Sequence, residues 1–167
     1  MSGDDVSPFG PADLAGPLGR NLLALNNAHA MELSWLEPDQ LLRLVSTASL
    51  ALRIGNVTGL LLAFDQDADY DAGNFLWFRA RHTRFVYIDR VVVATAERGR
   101  GHARRLYDAV FTWACDAGHE RVVCEVNLDP PNPASDAFHS ALRFGEVGTA
   151  VIDGGEKTVR YLSRALR

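Results

Sequence analysis

The stretch VVVATAERGRGHARRLYDAV, residues 91–110, gathers Arg98, Arg100, Arg104 and Arg105 with Gly99 and Gly101, between an apolar β-branched run and a helical pattern. The start of a helix presents N–H groups without intrahelical partners and the positive end of its dipole, and both attract phosphate. Gly99 and Gly101 take away side chains that would hold an anion off those amides, and they permit positive φ. The four arginines add charge around the same point. The chemistry indicated is a pyrophosphate gripped by main-chain amides. The plain alternative is a solvated basic loop that caps a helix. Gly-Lys-Ser/Thr is absent, so this is not a Walker loop. The Gly-x-Gly-x-x-Gly spacing and an early chain position are missing too, which argues against a dinucleotide-binding Rossmann unit.

Such a junction needs a strand before it and a helix after it. RFVYIDRVVVA, rich in Val, Ile, Tyr and Phe, predicts the strand. Ala103, Leu106, Val110, Ala114 and Ala117 follow helical spacing from about Gly101 to Ala117, and Gly118 supplies the stop. Upstream, residues 1–13 form an N-terminal segment with a first strand around Val6–Phe9, and a single domain follows over 14–167. GRNLLALNNAHAMEL predicts a first helix. LEPDQLLRLVSTASLALRIG predicts a second, with Pro38 in the first turn, Gly55 at the end and a stripe of Leu41, Leu44, Val45, Ala48 and Leu52. NVTGLLLAFD reads as a buried strand and NFLWFRARHTR as a short helix. Downstream come the strand ERVVCEVNL, the helix NPASDAFHSALRF, and a hairpin of EVGTAVID and KTVRYLSRAL turned at Gly154-Gly155. The order predicts an α/β chain with one central sheet.

Bulk properties narrow the classes. The chain has 167 residues, 47% hydrophobic and 23% charged, ordinary for a soluble globular domain. No apolar run approaches the roughly 18 residues of a membrane span. The acidic, Pro/Gly-rich start suits neither a signal nor a transit peptide, so a cytoplasmic location is expected. A net charge of −4 argues against nucleic-acid and anionic-membrane partners. Lys157 is the only lysine, a bias that reflects either anion binding or GC-rich coding. Cys115 and Cys124 lack Cys-x-x-Cys spacing, and the five histidines form no i, i+4 pair with a carboxylate, so no metal site is expected.

RGRGHA fits the Arg/Gln-x-x-Gly-x-Gly/Ala signature, with Arg98, Gly101 and Ala103 in its positions, and the chain thereby resembles the GNAT acyl-CoA N-acyltransferases. A second pattern of that family, Asn-x-x-Ala-x-x-x-Tyr-x-x-x-Gly-Phe, falls on Asn132, Ser135, His139, Arg143 and Phe144. Asn and Phe agree, while Ser, His and Arg replace Ala, Tyr and Gly. The resemblance spans roughly residues 20–166. It implies an α+β, GNAT-like fold: a mixed, mostly antiparallel sheet flanked by helices, with splayed central strands forming the acyl-CoA cleft.

The resemblance further implies acetyl-CoA or coenzyme A as co-substrate, an amine acceptor and direct attack on the thioester. Backbone groups of Val91, Val92 and Val93 would pair with pantetheine amides. Arg98 and the loop Gly99, Arg100, Gly101, His102, Ala103 and Arg104 would hold the pyrophosphate. Asn132 and Ser135 would contact the pantetheine or ADP end. Asp89 is the candidate base, the alternative being an ion pair with Arg90. Tyr87 shares Asp89's face by period-2 alternation and is the candidate assistant. His139, where the family carries its thiolate-protonating tyrosine, is the candidate acid or a structural histidine. Asn26, Asn27, Glu32, Trp35, Phe75, Trp77 and Phe78 are candidate acceptor neighbours; capping and core packing are the alternatives. Family habit adds a homodimer. Against the transferase stand a catalytically weak CoA-binding module and a phosphate-binding surface for RNA, the latter disfavoured by charge.

Overall fold

The computed structural model describes residues 5–166; Met1–Asp4 and Arg167, at the ends of the expected segment and domain, lie outside it. Among the described residues seven strands form one sheet. They are β1 (Val6–Pro8), β2 (Leu50–Ile54), β3 (Gly59–Asp65), β4 (Phe85–Val93), β5 (Arg121–Asp129), β6 (Gly145–Ile152) and β7 (Lys157–Ala165). Their spatial order is β1-β2-β3-β4-β5-β7-β6. Every neighbouring pair is antiparallel except β4–β5. The helices are α1 (Pro17–Ala28), α2 (Ala30–Leu33), α3 (Pro38–Thr47), α4 (Gly73–Arg79), α5 (His102–Asp116) and α6 (Pro133–Ala141).

β3 reads as an unbroken apolar run because both of its faces are covered. On one face Leu106, Tyr107, Val110, Phe111 and Ala114 of α5 pack against Leu52, Leu61, Val86, Ile88 and Val122. On the other, Leu22, Leu41 and Val45 of α1 and α3 cover Ala51, Leu60, Leu62 and Val92. Phe75 and Phe78 of α4 close the sheet further along, against Phe64, Phe85, Tyr87 and Tyr161. Each such side chain contributes about 1.5–3 kcal/mol relative to exposure.

Two expected helices come out differently. The long helix predicted through Leu52 stops at Thr47: Ala48 turns to extended backbone (φ −60, ψ 140), and Leu50–Ile54 becomes β2. The apolar spacing there fits a helix, but β2 fills the place between β1 and β3, and sheet pairing outweighs local periodicity. Leu52 consequently faces α5 from the sheet. The first helix breaks at His29 into α1 and α2. Asn26 and Asn27 cause the break by holding the chain that follows α2. Asn26 Nδ2 donates to the Ser34 carbonyl (3.0 Å). Asn27 donates to the Leu36 carbonyl and accepts from its N–H, both at 2.9 Å.

Two irregularities of β4 position the site. Its parallel pairing with β5 covers only Phe85–Tyr87 against Arg121–Val123, although β4 runs on to Val93 and β5 to Asp129. Beyond that point the strands part. On the β3 side, Leu62 faces Arg90 while Ala63 faces Ile88, so Asp89 is the extra residue of a bulge. Asp89 Oδ2 then accepts from Arg90 Nε (3.1 Å), and Arg90 Nη1 donates to the buried Asn26 Oδ1 (2.8 Å). This chain fastens α1 to the sheet.

Removing Arg90 leaves a carboxylate with 8% exposure without its ion-pair partner. Arg90→Met is expected to cost about 3–5 kcal/mol in chemical denaturation, and adding Asp89→Asn to restore part of it.

Candidate active site

The parted strands open a cavity of about 700 Å³ that meets the start of α5. Gly99 and Gly101 both sit at φ +79, the left-handed region that a side chain disfavours. The first helical bond runs from Arg105 N to the Gly101 carbonyl (3.1 Å), so the N–H groups of His102, Ala103 and Arg104 precede the intrahelical ladder. A Cβ at Gly99 would meet nothing within 4 Å, and one at Gly101 only the Arg105 guanidinium at 3.6 Å. The loop is thus open above its amides. On its β3 edge Val91 pairs with Leu61, Val92 with Leu60 and Val93 with Gly59, which leaves the groups on the opposite edge facing the gap. Of the predicted contacts, Val91, Val92, Val93, Arg98, Gly99, Gly101, His102, Ala103, Arg104, Asn132 and Ser135 line this cavity. Arg100 does not: it turns to Glu97 (3.0 Å). Asn132 caps α6, accepting from Ser135 N (3.2 Å).

A second cavity of about 280 Å³ adjoins the first and shares Glu32, Val91, Tyr107, Asn132, Ser135 and His139 with it. Asp89 lines it. Both of its oxygens are engaged, Oδ1 by the Tyr70 hydroxyl (2.6 Å) and Oδ2 by Arg90, so the ion pair weighed in the sequence is present. Tyr87 lies on Asp89's face but behind the cavity wall, and its hydroxyl donates to both oxygens of Glu125 (2.8 and 3.0 Å).

Glu125, which the sequence reading passed over, is a further carboxylate of this cavity beside Asp89 and Glu32. It is half-buried on β5, held by Tyr87 and by Asn74, whose own Oδ1 accepts from the Tyr161 hydroxyl (2.7 Å). Burial pushes its carboxyl up from 4.5 to about 7; Asp89's negative charge adds to the rise, and the hydrogen bonds from Tyr87 and Asn74 oppose it. The signal in the sequence was a lone glutamate inside the apolar run VVCEV.

His139 is buried in the wall common to both cavities. Its Nδ1 lies 2.8 Å from the Ser135 carbonyl and 3.3 Å from the Ser135 hydroxyl, and its Nε2 lies 2.8 Å from the Tyr107 hydroxyl. A carbonyl only accepts, so Nδ1 carries the hydrogen and Nε2 accepts from Tyr107. Burial lowers the pKa of His139 below its usual 6.5, with the Ser135 carbonyl and Asp136 opposing, so the ring is held neutral.

On the acceptor side Glu32 lines both cavities. Asn26 and Asn27 are occupied in fastening Ser34–Leu36, and Trp35 is exposed, its Nε1 donating to Glu37 (3.2 Å). Phe75 and Phe78 are fully buried core, and Trp77 stacks on Tyr161 at 4.1 Å. None of the three aromatics lines either cavity. Among the described residues no cluster of His, Cys, Asp and Glu is placed to hold a metal, and no helix is long and apolar enough to cross a membrane.

A parted parallel strand pair with a glycine-flanked helix start at its mouth is thus the geometry of the site. The chain belongs to the acetyltransferase (GNAT) family, whose model matches residues 23–144. The fold is similar to that of smu.2055 from Streptococcus mutans UA159, at TM-score 0.73 and 17% identity, covering 98% of this chain and 99% of that one. An N-acetyltransferase from Staphylococcus aureus Mu50 matches at TM-score 0.73 and 15% identity, over 99% of this chain and all of that one (100%). The yncA protein from Salmonella typhimurium, solved with its cofactor acetyl-CoA, matches at 0.69 and 18% identity, over 99% and 95%. No curated protein matches the chain.

Glu125 carries a linkage. With its folded pKa raised, the folded state binds the proton more tightly than the unfolded one, so its favourable contribution is full below about 4.5 and is lost as pH rises through about 7. Glu125→Gln is therefore expected to match the parent in stability at pH 4 and to exceed it above pH 7. The gain is on the order of 1–3 kcal/mol after discounting for partial exposure, read from denaturation curves across pH.

Proposed function

We propose that this chain transfers an acetyl or other acyl group from acyl-coenzyme A directly to an amine. One observation carries the reading: a cavity ending in the glycine loop meets, across one shared wall, a second cavity holding a carboxylate whose pKa lies near 7. The amides of His102, Ala103 and Arg104, with Arg98 and Arg104 beside them, suit a pyrophosphate. The open edge of Val91–Val93 suits the pantetheine amides, and Asn132 and Ser135 flank the same channel. When bound, acetyl-CoA supplies a thioester carbonyl open to attack by nitrogen.

Glu125 takes the proton from the acceptor ammonium. A base is most effective when its pKa sits near the working pH, and Glu125 meets that condition. Tyr87 and Asn74 fix its orientation, and Asp89, tied to Arg90 and Tyr70, serves as a fixed negative charge nearby. Glu32 and Glu125 line the smaller cavity beside the Asp89–Arg90 pair and Lys157, so its carboxylates are largely balanced by cations. A second reading, a CoA-binding module without turnover, is favoured by the engagement of both His139 nitrogens.

Calorimetry with coenzyme A tests the shared part: the parent binds, and Gly101→Val, which strains a backbone at φ +79, weakens binding at least about tenfold. A panel of primary amines with acetyl-CoA, read by thiol release, separates the two readings. Transfer is expected to rise with pH through about 7 as Glu125 ionises. Glu125→Gln is expected to lower it by about 10²–10⁴-fold with coenzyme A affinity unchanged. Coenzyme A binding with no transfer to any amine would favour the module.

A further inference from the structure

Resting on the transferase reading, we propose that the acceptor is a small zwitterion of the amino-acid type, and that Lys157 of β7 selects it by pairing with its carboxylate. The charged side chains that line the smaller cavity fall into two groups. Asp89 and Arg90 satisfy each other at 3.1 Å, and Glu32 is 63% exposed and lies 3.6 Å from His29. Glu125 and Lys157 have no such partners. Glu125 is held by neutral donors alone, and the Lys157 ammonium has neither hydrogen bond nor ion pair among the described residues. The two groups left over have opposite sign. A ligand that answers both brings one ammonium and one anion. A diamine would set its second ammonium against Lys157, where like charges repel.

The strand register places these two groups on one face of the sheet. Tyr161 pairs with Glu125 and Val159 with Asn127, and Lys157 follows two residues further along β7. The backbone levels of Glu125 and Lys157 are therefore about 13 Å apart, four residues at roughly 3.3 Å each. Both side chains reach into the same cavity from its two ends, so only a few bonds separate the ammonium and the anion that would meet them. The cavity, about 280 Å³, is just below the roughly 300–1,000 Å³ of sites for drug-sized ligands. Asn127 lines it between the two levels and adds a neutral amide. A carboxylate suits one lysine and one amide better than a phosphate does. Phosphate recognition draws on arginine forks, and the arginine of this cavity, Arg90, is already held by Asp89 and Asn26. The chain's single lysine thus stands where the acceptor's far end would lie.

The test offers the full chain each common amino acid beside its amide, with acetyl-CoA, and reads thiol release. 4-Aminobutyrate and glycylglycine, beside their amides, widen the span between amine and carboxylate. The free acid is expected to exceed its amide in kcat/KM by about 5- to 20-fold at one or more of these spans, the strength of one charge-assisted hydrogen bond at a half-exposed site. Lys157→Met is expected to bring that ratio to about one, Lys157→Arg to keep it, and Lys157→Glu to turn it in favour of the amide. Each ratio compares two acceptors on one variant, so a loss of folded protein cancels. Amides used as well as their acids at every span, or a preference that Lys157→Met leaves intact, overturn the proposal and leave the transferase reading standing. Coenzyme A binding with transfer to no amine overturns the transferase reading, and this proposal with it.

Discussion

The parting of β4 from β5 is the constraint on which the rest of the molecule depends. Parallel neighbours normally share an evenly spaced ladder, and here the ladder stops at Tyr87 and Val123. Past that point the inner edges of both strands carry N–H and C=O groups that a sheet would otherwise pair, and such groups are costly to leave dry. The protein does not fill the gap with a strand. It frames it with α5 and α6 and lines it with Tyr107, Asn132, Ser135 and His139. The unpaired edge has the chemistry that an extended, amide-bearing ligand would match, and the bulge at Asp89 adds local twist to β4 where the strands part.

That gap also decides the electrostatics. Asp89 and Glu125 sit in the same half-dry wedge, yet their surroundings differ. Asp89 has a guanidinium at 3.1 Å, and Asn26 on the far side holds that guanidinium in place. Glu125 has only neutral donors, Tyr87 and Asn74, and feels the charge of Asp89 as well. A neutral hydrogen bond offsets less of the cost of burying a charge than a cation does. The carboxyl with the weaker partners is thus the one poised to exchange a proton. Arg90 consequently acts on both counts: it fastens α1 to the sheet, and by pairing with Asp89 it leaves Glu125 as the carboxyl without a cation partner.

What could be read in the sequence follows from how local each feature is. The glycine-arginine loop and α5 were legible because positive φ, helix periodicity and the preceding strand are all properties of neighbouring residues. β2 was not, since Ala48 and Leu52 continue a helical spacing, and only pairing with β1 and β3 overrides it. Asp89 was named with its Arg90 ion pair as one of two readings, but Tyr70 and Asn26, which engage that pair, are distant in the chain and left no local sign. Glu125 left a faint mark as a single charge in an apolar strand. Tyr107 left none: in the sequence it is one residue within a helical pattern, and His139 reaches it only through the packing of α6 on α5.

The arrangement also solves a problem of proton traffic. Titratable groups that share one pocket shift each other, and different surroundings push their pKa values apart. Here Glu125 hangs from β5, with its hydrogen bonds coming from β4 and α4, while Tyr107 and His139 hang from α5 and α6. The two sets share no hydrogen-bond partner, since Glu125 is held by Tyr87 and Asn74, and His139 by Tyr107 and Ser135. Burial raises the pKa of the carboxyl to about 7 and lowers that of the imidazole below 6.5, so the carboxyl exchanges its proton near neutrality while the imidazole stays neutral. The same strand divergence that exposes the backbone for binding thus keeps the two titratable groups apart.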